Sequence, residues 1–321
     1  MQGLPKYTAF IEAELKQLFP KQEPFLLYEP LRYFLTIGGK RMRPIATLLG
    51  AEVFGLNKEQ VISAALAVEV FHNFSLIHDD IMDQAPLRRG KETVHTRWNE
   101  NVAILGGDVM LVEAYQLLLR QGGDLAAMMK VFNQTAIEVC EGQQLDVDFE
   151  TMDTVTEEQY IEMIRLKTSV LLGCAFELGA IAAEASLEDR QRIYDFGMYT
   201  GIAFQIQDDI LDVYGDPEKF GKQVGGDILK DKKTLLYLSA LRLANEDQKK
   251  RFNALLSEND PTVKVEQTKA LYSELNIRSL CEETRNAYYA KAIAAVEGLN
   301  VPDERKAILF ELGDFLLNRE V

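Results

Sequence analysis

The sequence predicts an all-α fold, a large single-domain helical bundle spanning residues 1–321. Three observations carry that prediction. Apolar residues recur with the 3.6-residue helical period through nearly the whole chain, and strand-like alternation is hard to find. The 9 prolines and 21 glycines are dispersed, with no Pro/Gly/Ser-rich linker or low-complexity tract that would separate domains. A hydrophobic fraction of 47% is that of a well-buried globular protein.

In chain order, the pattern places helices over 5–19, 24–36 and 42–54, the third opened by a turn that carries Lys40, Arg41 and Arg43. A long apolar helix follows over 58–84, then helices over 100–121 and 124–150. The next, 157–184, starts at Thr156 with Glu157 and Glu158 in its first turn, where negative charge meets the positive end of the helix dipole. Helices over 187–214, 233–245, 260–274 and 276–298 come next. The last, 302–319, opens on Pro302, Asp303 and Glu304. Two irregular stretches remain, Gln84 to Asn99 and Tyr214 to Lys232, both rich in Lys, Arg and Gly. Loops held by rigid helices are where binding groups concentrate.

The balance of 35 Lys+Arg against 50 Asp+Glu, a formal charge of −15, disfavours a nucleic-acid role and docking to an anionic membrane. An anionic substrate would need local basic groups or metal ions. The three cysteines, Cys140, Cys174 and Cys281, are far apart and show neither metal-site spacing nor a disulfide framework, so a reducing, cytoplasmic setting is expected. Met1 to Phe10 lacks signal-peptide architecture, and no apolar run reaches the roughly 18 residues of a membrane span.

The chemistry concentrates in two motifs of one form, Asp79-Asp80-Ile81-Met82-Asp83 and Asp208-Asp209-Ile210-Leu211-Asp212, each on a helix that is apolar round most of its circumference. On the first helix His72, Ser75, Asp79 and Asp83 share a stripe; on the second Gln205, Asp208, Asp209 and Asp212 do. Carboxylates among apolar neighbours need a counter-charge, and an all-oxygen donor set favours Mg²⁺. The competing reading is a solvated face on each helix, which two motifs of identical spacing make the poorer account. Cations gather beside both motifs: Lys40 and Arg43, Arg88 and Arg89, then Lys222, Lys230 and Lys232. Carboxylates alternating with Arg and Lys suit a polyanion held partly by metal and partly by direct hydrogen bonds. For Arg41 and Lys233 ordinary salt bridging is the favoured reading.

Gly38-Gly39-Lys40-Arg41-Met42-Arg43-Pro44, the first Asp-Asp-x-x-Asp motif, Arg88-Arg89-Gly90, Lys167-Thr168 and the second Asp-Asp-x-x-Asp motif, in that order, resemble the trans-isoprenyl diphosphate synthase (polyprenyl synthetase) family from about Phe34 to the terminal helix. The resemblance implies an isoprenoid-synthase bundle around a deep central cavity, usually homodimeric. It implies a prenyltransferase that condenses isopentenyl diphosphate with an allylic diphosphate. Asp79, Asp83 and Asp208 would hold three Mg²⁺ ions on the allylic diphosphate, with Asp80, Asp209 and Asp212 as further ligands or their supports. Arg88, Lys167, Thr168, Gln205, Lys222 and Lys232 would contact the allylic substrate. Lys40, Arg43, His72 and Arg89 would bind the diphosphate of isopentenyl diphosphate.

One departure stands out: the family often has Gly before the last motif lysine, where this chain has Asp231. Bulky residues before the first motif form the floor of the elongation pocket in the family. Here Phe74 lies roughly 7.5 Å down the helix from Asp79, Ser75 follows it, and Phe71 is a turn deeper. That resembles short-chain enzymes making C15–C20 products, while plain core phenylalanines are the competing reading. A longer-chain synthase, a terpene cyclase and a non-catalytic partner of a prenyl synthase are the alternatives. The cyclase has no need of Lys40, Arg43, His72 and Arg89, and such partners usually lose one aspartate motif.

Overall fold

The computed structural model describes residues 3–216 and 225–317, and apart from one short hairpin its regular structure is helical. The chain forms two compact units, and most of their boundaries fall inside helices.

The first unit holds α1 (Leu4–Leu15), α2 (Phe25–Thr36), α3 (Met42–Val53), α4 (Ile62–Met82), α5 (Val94–Arg97) and α6 (Glu100–Gln121), with the beginning of α7 (Leu125–Thr151). α4 is the core helix: Ala64, Ala65, Ala67, Val68, Val70, Phe71 and Ile77 are all buried. It packs chiefly along α6. Gly107 of α6 makes that approach possible beside the first motif, because a Cβ there would collide with the His78 ring. The expected start of α4 at residue 58 is instead a 3₁₀ turn, Lys58–Gln60. Within the first irregular stretch, β1 (Leu87–Arg88) pairs antiparallel with β2 (Lys91–Glu92). Arg89 and Gly90 at the tip both take positive φ, 52° and 74°, as a two-residue hairpin turn requires.

The second unit takes most of α7, then α8 (Glu157–Ile164), the start of α9 (Val170–Ala182), and α10 (Leu187–Tyr214) from Tyr194 onward. Thr156 and Gln159 form a capping box at the α8 start, as the acidic first turn suggests. The uninterrupted helix expected over 157–184 is broken by a π turn, Arg165–Ser169, that contains Lys167 and Thr168. After the second motif come α11 (Gly226–Leu229), α12 (Leu235–Leu243), α13 (Glu246–Leu256), α14 (Pro261–Glu274), α15 (Ile277–Glu297) and α16 (Asp303–Leu317). Ile202, Ile206, Ile210, Leu236, Tyr272 and Ile277 are among the residues of the unit's core. α13 is absent from the sequence expectation because it is mostly polar, burying only Phe252 and Leu255. The Asn245–Gln248 capping box is its signal.

Candidate active site

In the first unit, the stripe read from α4 is partly open to solvent at His72, Ser75, Asp79 and Asp83, while Phe71, Asn73, Ile77 and Asp80 beside it are buried. Asp80, 1% exposed, is clasped by Arg88, whose Nε lies 2.8 and 3.0 Å from the two carboxylate oxygens and whose Nη2 lies 2.8 Å from Oδ1. The same Nη2 is 3.7 Å from Asp79 Oδ2. Burial raises the Asp80 carboxyl above its usual range despite the guanidinium. The hairpin thus ties a cation of the first irregular stretch to the middle carboxylate of the motif.

The turn before α3 joins this region. Gly38 and Gly39 take φ of 91° and 149°, and Arg89 Nη1 donates to the Gly38 carbonyl. A Cβ at Gly39 would come within 2.6 Å of Arg89 Nη1, so glycine makes room for the guanidinium. Arg43 Nη1 lies 3.2 Å from His72 Nε2. Arginine has no acceptor, so Nε2 receives the bond and the imidazole proton sits on Nδ1. Burial and four arginines, Arg43 first, hold His72 well below its ordinary pKa. Burial likewise pulls Arg43 and Arg89 down, and the Arg43 Nε is buried without a hydrogen-bond partner. Cations under such strain suit an anion. Lys40 is exposed on the same turn. Arg41 belongs elsewhere, as expected: it is buried and bonds Glu12 and Glu69 at 2.6 Å each and the Leu35 carbonyl at 2.7 Å.

The pocket-floor candidates form an aromatic chain. Phe71 and Phe74 have ring centroids 5.5 Å apart, Phe74 meets the His78 ring at 4.9 Å, and Phe132 lies edge-on to both Phe71 and Tyr115 at 5.2 and 5.4 Å. Phe71 is buried, whereas Phe74 and Ser75 are only half-buried.

In the second unit the stripe reading needs one amendment. Gln205, Asp208 and Asp212 are half-buried, but Asp209 turns into the core, where the Tyr160 hydroxyl of α8 donates to its Oδ2. Burial and the neighbouring Asp227 push the Asp209 carboxyl up to about 7. Gln205 Nε2 reaches Asp209 Oδ1 only at 3.5 Å. Asp212 Oδ2 accepts from the backbone N–H of Asp227 at 2.9 Å, fixing the start of α11. Each motif therefore has its middle carboxylate buried against a protein partner.

Lys167 Nζ lies 2.5 Å from Asp146 Oδ2 of α7, and Thr168 is half-buried beside it. A π turn is a frequent mark of a functional site. Gly142 lets α7 lie against it, since a Cβ would strike the backbone of Leu166 and Lys167. Sequence reading passes over Asp146 and Gln143, whose amide nitrogen is buried without a partner. Their signal is a polar pair three residues apart on one face of α7. Lys230 and Lys232 follow α11, and Lys233, expected in a salt bridge, donates instead to the Phe149 carbonyl near the end of α7. Lys222 lies outside the described residues.

Among the described residues, no group of three or more His, Cys, Asp or Glu could hold a metal ion by itself. Mg²⁺ binds through one or two carboxylates plus substrate phosphates and waters rather than a closed protein cage. Asp79, Asp83 and Asp208 are hard oxygen donors of that kind.

The polyprenyl synthetase family model matches residues 24–275. A geranylgeranyl diphosphate synthase of Methanosarcina mazei is 36% identical, covering 98% of this chain and 96% of that protein. A short chain isoprenyl diphosphate synthase of Methanothermobacter thermautotrophicus is 35% identical over 100% of this chain and 98% of its own. The crystal structure of a geranylgeranyl pyrophosphate synthase, 43% identical, covers 100% of both chains with a TM-score of 0.94.

Proposed function

The chain belongs to the polyprenyl synthetase family and is an isoprenyl diphosphate synthase, a prenyltransferase, and on that premise we propose that it makes trans C15–C20 prenyl diphosphates by ionisation, condensation and elimination. The family binds divalent metal ions with diphosphate substrates, and isopentenyl and allylic diphosphates are the substrates it implies. The observation that carries the finer reading is the half-buried Phe74 standing one turn and a half behind Asp79, backed by Phe71 and Phe132.

Asp79 and Asp83 of the first unit and Asp208 of the second would hold Mg²⁺, three ions in this reading, on the allylic diphosphate. Bound there, the metal supplies neutralising charge to the departing group. Arg88, Lys167 and Lys232 donate to the same diphosphate, with Thr168, Gln205 and Lys222 as its further contacts. The allylic C–O bond breaks with its electron pair leaving on the diphosphate. Apolar side chains such as Phe74 keep water from the allyl cation. Lys40, Arg43, Arg89 and the Nδ1–H of His72 hold isopentenyl diphosphate, whose double bond supplies the electrons of the new C–C bond. The proton then lost goes to the released diphosphate, because the His72 lone pair is already engaged by Arg43. Asp80, Asp209 and Asp212 act as supports: each accepts from the protein.

The two units work as one synthase domain in this reading, supported by a family match that spans both. The working form is a cytoplasmic homodimer. Ile104, Leu105, Val112 and Leu119 leave an exposed apolar stripe on α6 that a second copy would cover, since patches of this kind mark interfaces. Incubating the purified chain with labelled isopentenyl diphosphate, Mg²⁺ and dimethylallyl, geranyl or farnesyl diphosphate tests the reading. Chromatography should find labelled C15–C20 diphosphates; products beyond C20 would move the chain to the longer-chain synthases.

A further inference from the structure

Asp231 sits at a strained point of the second unit. Its φ is +52°, a left-handed conformation that side chains other than Gly, Asn and Asp adopt at a cost. It closes α11: Asp231 N–H donates to the Ile228 carbonyl at 3.2 Å and Lys232 N–H to that of Asp227 at 2.9 Å, the paired bonds of a left-handed helix stop. Its carboxylate is held by Lys264 of α14, with Nζ 2.8 Å from Oδ1 and 2.9 Å from Oδ2. Lys264 is itself buried, 6% exposed, which is rare for a lysine and tolerable only with a partner. A cavity of about 20 Å³, room for one water, adjoins the pair and is lined in part by Asp227, Lys232 and Thr268.

α14 holds the other end of the same segment. A Cβ at Gly225 would lie 2.8 Å from Val265, so the backbone is pressed onto α14 there, and Gly225 N–H donates to the Asp212 carbonyl at 2.6 Å. The segment 225–232 is thus fastened to α14 at both ends and to the second aspartate motif through Asp212.

We propose that Lys264 is a positioning residue for the allylic diphosphate: by clasping Asp231 it keeps the strained turn in place and so fixes the backbone from which Lys232 projects. This rests on the reading of Lys232 as a contact to that diphosphate. Released from Lys264, Asp231 would relax toward negative φ and carry Lys232 with it. A glycine at 231 would hold the turn with no tether, because it has no Cβ to penalise the conformation.

Steady-state kinetics on the full chain, with each substrate varied in turn, tests the proposal. Lys264→Met should raise KM for the allylic diphosphate about tenfold while leaving KM for isopentenyl diphosphate within about twofold. Asp231→Gly combined with Lys264→Met should return the allylic KM to within about twofold of the parent chain. The double variant also carries the test if Lys264→Met alone melts at the assay temperature. Equal movement of both KM values, no movement, or a double variant no better than the single would overturn the proposal. Lys232→Met is the control. If it leaves the allylic KM unchanged while the parent chain turns over, the positioning role fails and the synthase reading stands; if the parent chain makes no prenyl diphosphate, both fail.

Discussion

The Tyr160 hydroxyl donates to the carboxylate of Asp209, so the middle residue of the second motif is anchored in the core of its unit by a side chain 49 positions away. Tyr160→Phe removes the donor and keeps the ring. Leaving a buried carboxyl short of its partner should cost about 1–3 kcal/mol, read as a lower urea midpoint at an unchanged m-value. A variant as stable as the parent would mean that Asp209 needs no such anchor.

Asp80 has the equivalent arrangement with Arg88, and the pair is more consequential because both groups carry formal charge. Breaking a buried pair from one side typically costs about 3–5 kcal/mol, so Arg88→Met, which strands Asp80, should approach that range. Arg88→Lys should recover some of the loss, since an ammonium keeps the charge but cannot reproduce the forked contact. Chemical denaturation of both variants checks the order.

How far the sequence alone reaches is visible in these two pairs. The motifs, the basic turn before α3 and the longer helices other than α13 follow from period, spacing and charge, because those are local properties, whereas the four-residue α5 and α11 fall inside the stretches read as irregular. The Tyr160–Asp209, Asp146–Lys167 and Asp231–Lys264 contacts join residues 49, 21 and 33 positions apart, and no periodicity announces them. The π turn at Arg165–Ser169 adds one residue to a helical run and barely disturbs the apolar pattern, so the break leaves no trace in the sequence. α13 escapes for a different reason, its charged surface outweighing two buried positions. Asp231 is the departure that puts its loop in question, and the structure keeps a left-handed turn there with Lys264 as partner.

His72 should stay neutral through the ordinary histidine range. Its folded pKa lies well below the unfolded value near 6.5, so folding requires a neutral ring. The linked stability is therefore full above about pH 6.5 and falls as pH drops toward the folded pKa, because the unfolded chain binds the extra proton. With 3 histidines in the chain, NMR titration can follow each ring. Added isopentenyl diphosphate should raise the His72 pKa by neutralising the surrounding arginines, while His72→Gln should remove this ring's share of the acid-side slope.

Phe74→Ala opens the space behind Asp79 while Phe71 and Phe132 remain stacked beneath it. The main product should lengthen, and Phe71→Ala added to it should lengthen it again. Reversed-phase chromatography of the dephosphorylated products reads this directly. Unchanged length in Phe74→Ala would remove that ring from the floor.

The central claim is that this chain joins an isopentenyl unit to an allylic diphosphate with metal-assisted loss of diphosphate. The most direct test is to measure diphosphate released against isopentenyl diphosphate consumed, with farnesyl diphosphate present, before and after chelating Mg²⁺. The account predicts one diphosphate released for each isopentenyl unit consumed, and neither once the metal is removed. Release of diphosphate without consumption of isopentenyl diphosphate, accompanied by a hydrocarbon, would contradict it.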